Sequence, residues 1–148
     1  MAKISVIGAG SWGTALALLL HKNGHEVNVW SIMVDEIKML TEKREHASKL
    51  PGVKLPEDMS FTTDLEASMQ DKDMIVLAVP SPFTRSTAHN MSPFVKEGQL
   101  IVNVAKGVEE KTLMTLSEII EEEIPNANVC VLSGPRHAEE VGKGLPTT

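Results

Sequence analysis

A glycine-rich segment near the start of the chain, residues 8–13, reads GAGSWG and fits the pattern GxGxxG. Alone this pattern is weak evidence, because glycines fall at such spacing by chance. Here it lies between a β-branched run at residues 3–7, typical of a buried strand, and a largely apolar segment at residues 12–23, typical of a helix. A second strand-like run follows at residues 26–30. This context predicts a strand–loop–helix–strand unit that binds a dinucleotide.

Each glycine of the segment has an expected role. Gly8 permits a tight turn, Gly10 lets the backbone approach a pyrophosphate, and Gly13 lets the helix pack closely on the strand. The N-terminus of the helix, near Ser11 and Trp12, offers N–H groups and the positive end of its dipole to the phosphates. The alternative is a glycine turn that serves packing only.

Strand-like and helix-like segments alternate along the rest of the chain. Further strands are predicted near residue 61 and at 74–79, 100–105 and 128–132, and further helices at 34–44, 64–69, from 83, and at 112–123. Strands that are apolar on both faces and alternate with helices indicate a parallel sheet covered on both sides. Because crossovers are right-handed, we expect an α/β fold: a doubly wound, mostly parallel Rossmann-type sheet with helices on both faces.

Size and charge exclude some functions. The chain has 148 residues, enough for one domain, and a formal net charge of −6. That charge disfavours a nucleic-acid partner, which needs a basic face. The longest apolar run, residues 15–20, is too short to insert into a membrane, and the N-terminus does not read as a signal peptide. We therefore expect a cytoplasmic location.

The single cysteine, Cys130, lies in the apolar run VCVL and is expected to be a buried, inert thiol. One cysteine cannot form an internal disulfide, which fits a reducing compartment. His21 and His25 flank Gly24 at a helix end and, with only one cysteine in the chain, do not suggest a metal site, so we expect none.

Other candidate residues follow predicted strands, at the sheet edge where ligands bind in open α/β folds. Lys106 follows the strand at residues 100–105 and is either a clamp for a substrate phosphate or a solvated turn lysine. Ser31 follows the second strand, where an acidic residue favours NAD and an arginine favours NADP. Ser31 can bond either a ribose hydroxyl or a 2′-phosphate, and the nearest acids, Asp35 and Glu36, fall on the next helix. Cofactor preference therefore stays open.

Together these segments resemble, in order and spacing, the bacterial-type NAD(P)-dependent glycerol-3-phosphate dehydrogenase family. The matching segments are IGAGSWGTA at residues 7–15, NGHEV at 23–27, VPS at 79–81, AKGVE at 105–109, and SGP at 133–135 followed by AEE at 138–140. The later segments are far more specific than the glycine pattern, and the resemblance covers the whole chain.

The resemblance implies an oxidoreductase that uses NAD(P)H to interconvert sn-glycerol 3-phosphate and dihydroxyacetone phosphate for phospholipid synthesis. It implies that Ser11, Trp12 and Ala138 contact the dinucleotide, and that Lys106 contacts both cofactor and substrate. Gly134 and Arg136 would contact the phosphorylated substrate. At the position of Arg136 the family usually has a small hydroxyl residue. A homodimer is also compatible with the resemblance.

Family members are roughly twice this length, with a helical second domain that supplies the general-acid lysine. We therefore expect residues 1–148 to form an NAD(P)-binding Rossmann domain, incomplete at its C-terminal end, with no catalytic residue of its own. Two alternatives stay open. One is another two-domain dehydrogenase, of the 3-hydroxyacyl-CoA or 6-phosphogluconate type, and the other is a non-enzymatic NAD(H)-sensing module.

Overall fold

A computed structural model of the chain describes residues 1–46, 52–105 and 107–132. Within these residues six parallel strands form one sheet, in the order β3-β2-β1-β4-β5-β6. In chain order they are β1 (Lys3–Ile7), β2 (Glu26–Trp30), β3 (Ser60–Thr62), β4 (Met74–Leu77), β5 (Leu100–Asn103) and β6 (Asn128–Val131). The predicted doubly wound parallel sheet is confirmed.

Helices cover both faces of the sheet. They are α1 (Ser11–Lys22), α2 (Val34–Lys43), α3 (Leu65–Met69), α4 (Thr84–Met91) and α5 (Leu116–Glu123), with a 3-10 turn (Ser81–Phe83) before α4. Buried residues of α1 and α2 share one apolar cluster, and those of α3, α4 and α5 share another. None of the described helices is long and apolar enough to cross a membrane.

Successive side chains of the central strands enter opposite clusters. Val6 of β1 joins the cluster under α1 and α2, whereas Ile7 joins the cluster under α3, α4 and α5. Val76 and Leu77 of β4 divide in the same way. All four side chains are buried, which explains why apolar residues stand at consecutive positions of these strands and not only at alternate ones.

The order of the strands reverses direction at β1. The chain passes from β1 outward to β2 and β3, then returns to β4 on the other side of β1 and continues outward to β6. At such a switch point the loops that follow the two central strands diverge and leave a crevice at the carboxyl edge of the sheet. The loop after β1 is the glycine segment.

Two sequence-based expectations were wrong. The last described helix begins at Leu116 rather than at residue 112, because Val108 and Thr115 form an antiparallel bridge and the hydroxyl of Thr115 caps the helix. Cys130 is exposed rather than buried. It lies on β6, the outermost strand on that side of the described sheet, whose side chains are less covered than those of the central strands.

Candidate dinucleotide site

The glycine loop is held against the end of β4. Gly8 has a φ of +121°, and a Cβ added to it would lie 2.7 Å from the carbonyl carbon of Ala78. A Cβ added to Gly13 would overlap the carbonyl oxygen of Gly8, so α1 packs directly on the loop that precedes it. Both glycines are therefore required by the fold itself.

Gly10 differs from the other two glycines. A Cβ added to Gly10 would meet no atom within 4 Å, and its φ of −71° suits any residue. No packing within the described part of the chain therefore explains why this position is glycine. The open space beside it is what the close approach of a ligand to the backbone requires.

Gly10 is the N-cap residue of α1, which begins with neither an acidic residue in its first turn nor a cap from any described side chain. The 12-residue helix starts regularly, since the Thr14 N–H donates to the Gly10 carbonyl oxygen at 2.9 Å. A helix N-terminus of this kind favours an anion. The residues present therefore fit the pyrophosphate of a dinucleotide.

Ser11 and Trp12 form the first turn of α1, and both are half-buried. The Trp12 ring packs against the apolar cluster beneath α1. Trp30, at the end of β2, donates its indole N–H to the Thr63 carbonyl oxygen at 3.0 Å. Both tryptophans of the chain therefore flank the carboxyl edge of the sheet.

Ser31 is buried at the end of β2 and engaged by its neighbours. Its hydroxyl donates to Oε1 of Glu36 at 2.7 Å and accepts the Met33 N–H at 3.1 Å. The other carboxylate oxygen of Glu36 lies 2.9 Å from Nε2 of the buried His46. Glu36 lies on the helix that follows β2, as the sequence predicts, and its carboxylate reaches back to the end of β2.

The loops after β4 and β5 lie side by side. A Cβ added to Gly107 would lie 3.9 Å from Oγ of Ser81. The side chain of Asn103 shapes the turn after β5, because it donates to the Ala105 carbonyl oxygen and accepts the Ala105 N–H, both at 3.2 Å. Lys106 lies between Ala105 and Gly107 and is outside the described residues, as are Gly134, Arg136 and Ala138.

The loop after β5 is tied to α4 and α5 by Arg85. Its Nε and Nη2 donate to the two carboxylate oxygens of Glu109 at 2.7 and 3.0 Å. Its Nη1 donates to Glu122 at 2.9 Å and to Glu123 at 2.7 Å. These bonds hold the pKa of the Glu109 and Glu123 carboxyls below their ordinary value and raise the pKa of Arg85.

Glu109 also organises its own loop. Its N–H donates to the Met114 carbonyl oxygen at 2.9 Å, and its carbonyl oxygen accepts the Leu113 N–H at 2.7 Å. The Thr112 hydroxyl donates to its carboxylate at 2.7 Å. An open cleft of about 1010 Å³ lies beside this cluster and is lined in part by Ser81 and Arg85. The loop that begins at Lys106 is therefore fixed at its far end by an ion-pair cluster.

Sequence reasoning did not predict that Glu36 bonds Ser31 or that Arg85 holds the loop after β5. For Arg85 no local signal exists, because its partners lie 24 to 38 residues away in the chain. Glu36 could have been found from the sequence: it lies in the first turn of α2, five residues after Ser31, close enough for a long side chain to bend back.

Comparison with known proteins agrees with this architecture. The family profile described as NAD-dependent glycerol-3-phosphate dehydrogenase N-terminus matches residues 3–148. The chain is 64% identical over its whole length to a glycerol-3-phosphate dehydrogenase [NAD(P)+] of Agathobacter rectalis and 54% identical to one of Fusobacterium nucleatum. A crystal structure of glycerol-3-phosphate dehydrogenase from Coxiella burnetii superposes with a TM-score of 0.92 at 33% identity and covers 99% of this chain.

The chain spans 44% and 45% of the length of the two curated relatives, and 45% of the Coxiella burnetii chain. The family match favours this family over dehydrogenases of the 3-hydroxyacyl-CoA or 6-phosphogluconate type and over a sensing module. The chain belongs to the NAD-dependent glycerol-3-phosphate dehydrogenase family, and it corresponds to the family's N-terminal domain.

Proposed function

We propose that this chain is the NAD(P)H-binding domain of an oxidoreductase that interconverts sn-glycerol 3-phosphate and dihydroxyacetone phosphate for phospholipid synthesis. The observation that carries the proposal is Gly10, an N-cap with open space beside it at the switch point of the sheet. Family membership supports the choice of substrate. In this reaction the nicotinamide supplies or accepts a hydride.

The residues of this chain would bind and orient the reactants. Gly8, Gly10 and Gly13 would shape the loop, and the first turn of α1 at Ser11 and Trp12 would bind the pyrophosphate through its N–H groups and dipole. Ser31 would contact the ribose of the adenosine half. Preorganised contacts of this kind lower the barrier because they hold the reacting groups in place before the reaction begins.

The substrate end is proposed from the family. Lys106 would contact both cofactor and substrate phosphate, Gly134 and Arg136 would contact the substrate, and Ala138 would contact the dinucleotide. Residues 1–148 would form the dinucleotide domain, and a helical domain beyond it would supply the general-acid lysine. We further propose a cytoplasmic enzyme, with a homodimer as its assembly.

The proposal is tested by titrating NADH and NADPH into the protein at the full length that its gene encodes. Energy transfer from Trp12 and Trp30 to the reduced nicotinamide should quench tryptophan emission. The decisive variant is Gly10→Asp. Aspartate is a better N-cap than glycine, so the melting temperature should hold or rise. Its carboxylate would occupy the phosphate position, so affinity should fall by at least about 100-fold, which is about 2.7 kcal/mol.

The matched control is Gln70→Glu. Gln70 is exposed and is the C-cap of α3, near the amino end of β4, so this variant adds the same charge at the opposite edge of the sheet. Its dissociation constants should stay within twofold of wild type. Absence of quenching by either nucleotide in the wild-type protein, or unchanged affinity in Gly10→Asp, would contradict the proposal.

A further inference from the structure

The end of β2 is where dinucleotide-binding folds distinguish a free ribose hydroxyl from a 2′-phosphate. In this chain that position is Ser31, which directly follows Trp30. The Gly8 N–H donates to the Trp30 carbonyl oxygen at 2.8 Å, so the end of β2 adjoins the glycine loop. The inference drawn from this position rests on the proposed function, because it concerns which dinucleotide the same site prefers.

The Ser31 hydroxyl cannot donate to a phosphate without breaking an existing bond. A hydroxyl has one hydrogen, and here it is donated to Glu36 at 2.7 Å. One of its two lone pairs accepts the Met33 N–H. The remaining lone pair suits a partner that donates, such as a ribose hydroxyl. A 2′-phosphate dianion only accepts hydrogen bonds, so it finds no donor at this side chain.

Glu36 adds an electrostatic reason. Its carboxylate lies against Ser31 with a side chain that is only 13% exposed, so solvent screens its charge poorly. A 2′-phosphate bound at the end of β2 would place a second anion near this carboxylate. Like charges at short range disfavour each other, whereas a neutral ribose hydroxyl carries no such penalty.

Two basic residues that follow α2, Arg44 and His46, have defined partners. The Arg44 guanidinium donates to the carbonyl oxygens of Pro56 and Met59 and lies over the Phe61 ring, 5.2 Å from its centroid. His46 is 1% exposed and lies 2.9 Å from the second oxygen of Glu36. Neither group alters the Ser31 hydroxyl, whose hydrogen is donated to Glu36.

We propose that the hydrogen-bonded Ser31–Glu36 pair is a specificity determinant that makes this site bind NADH more tightly than NADPH. The pair acts by committing the hydrogen of the Ser31 hydroxyl to Glu36 and by placing a carboxylate at the end of β2. It reproduces, with two residues, the effect of the single acidic residue that usually ends the second strand of an NAD site.

The experiment compares dissociation constants for NADH and NADPH by tryptophan quenching, in the protein at its full encoded length. Wild type should bind NADH at least about tenfold more tightly, which is about 1.4 kcal/mol. Glu36→Gln removes the charge but keeps an amide of the same shape, and it should reduce the preference at least fivefold, mainly by tighter NADPH binding. The control Asp35→Asn removes an exposed charge from the adjacent residue and should leave the preference within twofold.

A second variant keeps the inference falsifiable if Glu36→Gln does not fold. Ser31→Ala retains the carboxylate and removes the lone pair that receives the ribose hydroxyl, so it should weaken NADH binding and leave NADPH binding unchanged. Equal affinities or an NADPH preference in wild type would overturn the inference while the proposed function stands. An unchanged preference in the folded variants would do the same. Failure of both nucleotides to bind would instead overturn the proposed function.

Discussion

Glu109 accepts two hydrogen bonds from Arg85, from Nε at 2.7 Å and from Nη2 at 3.0 Å. The two parallel bonds fix the orientation of the guanidinium relative to the carboxylate and add to their charge attraction. A lysine ammonium would supply the attraction but not the fixed orientation. Because Glu122 and Glu123 share the remaining nitrogen, one guanidinium holds three carboxylates from two different parts of the chain. Isolated surface ion pairs contribute little to folding stability, but a network of charges that includes a bidentate arginine–carboxylate pair can contribute measurably.

Arg85→Met should therefore lower the melting temperature by roughly 2–4 °C, the scale expected for one surface network in a domain of this size. The substitution keeps the packing of the stem but leaves three carboxylates close together without their common cation. Combining it with Glu109→Gln should cost less than the sum of the two single changes, because both remove the same contact. Thermal unfolding of the three variants measures this coupling. Lys96→Met, at an exposed lysine, is the control, and strict additivity would count against the cluster.

The same cluster predicts how stability depends on pH. Hydrogen bonds from Arg85 lower the folded-state pKa of Glu109 and Glu123 below the ordinary value of 4.5. The folded state therefore binds fewer protons than the unfolded state in this range, so the stabilisation is present above pH 4.5 and is lost as the pH falls through the folded-state pKa values.

Glu109→Gln removes one of these groups. Its melting temperature should be below that of wild type near neutral pH, and the difference should shrink between about pH 6 and about pH 3. Melting curves recorded across this range test the sign. The control Glu110→Gln changes the exposed neighbouring residue, and its melting temperature should depend on pH in the same way as that of wild type. A difference for Glu109→Gln that grows with acidity would contradict the assignment.

Gly8→Ala should be far more damaging than Gly24→Ala. Both glycines have positive φ, +121° and +92°, so both substitutions strain the backbone. Only at Gly8 would the new Cβ also collide with the backbone of Ala78, at 2.7 Å. We expect a loss of about 3 kcal/mol or more for Gly8 and about 1 kcal/mol for Gly24. Urea unfolding gives both values, and equal losses would mean that the loop is not held against β4.

The chain of 148 residues should not turn over dihydroxyacetone phosphate by itself, even where it binds cofactor. In the proposed enzyme the general acid comes from another domain, and general acid catalysis contributes about 10²–10⁴-fold. Oxidation of NADH and NADPH by the purified chain measures the rate. Turnover near the typical value of ~10 s⁻¹ would show that the catalytic groups lie within this chain, with Lys106 the first to be tested.

The fold was predictable because its signals are local. Apolar residues at consecutive positions, such as residues 6–7 and 75–77, are buried on both faces of the sheet, and that pattern indicates a parallel sheet. The late start of α5 was also readable: Thr115 and Glu118 form a capping box, a pattern of serine or threonine followed three residues later by glutamate. Cys130 was misjudged because an apolar run does not say whether its strand lies at the centre or the edge of a sheet.

The candidate site was only partly predictable. The open space beside Gly10 follows from the glycine pattern, since a ligand must approach the backbone there. The bond between Ser31 and Glu36 depends on the turn between β2 and α2 and on the conformation of a flexible side chain, neither of which the residue pattern specifies. The long-range bond between Arg85 and Glu109 depends on the order of strands in the sheet.

The position of β1 between β2 and β4 has a consequence for how this domain can change over evolutionary time. Ser31 and Glu36 lie beyond β2, whereas Arg85 and Glu109 lie beyond β4 and β5, on the other side of β1. Because the two groups stand on opposite sides of β1, substitutions in one should add to substitutions in the other without epistasis. A lineage with the proposed function can then exchange one dinucleotide for the other by a few changes near β2, without altering the ion-pair cluster that holds the loop after β5.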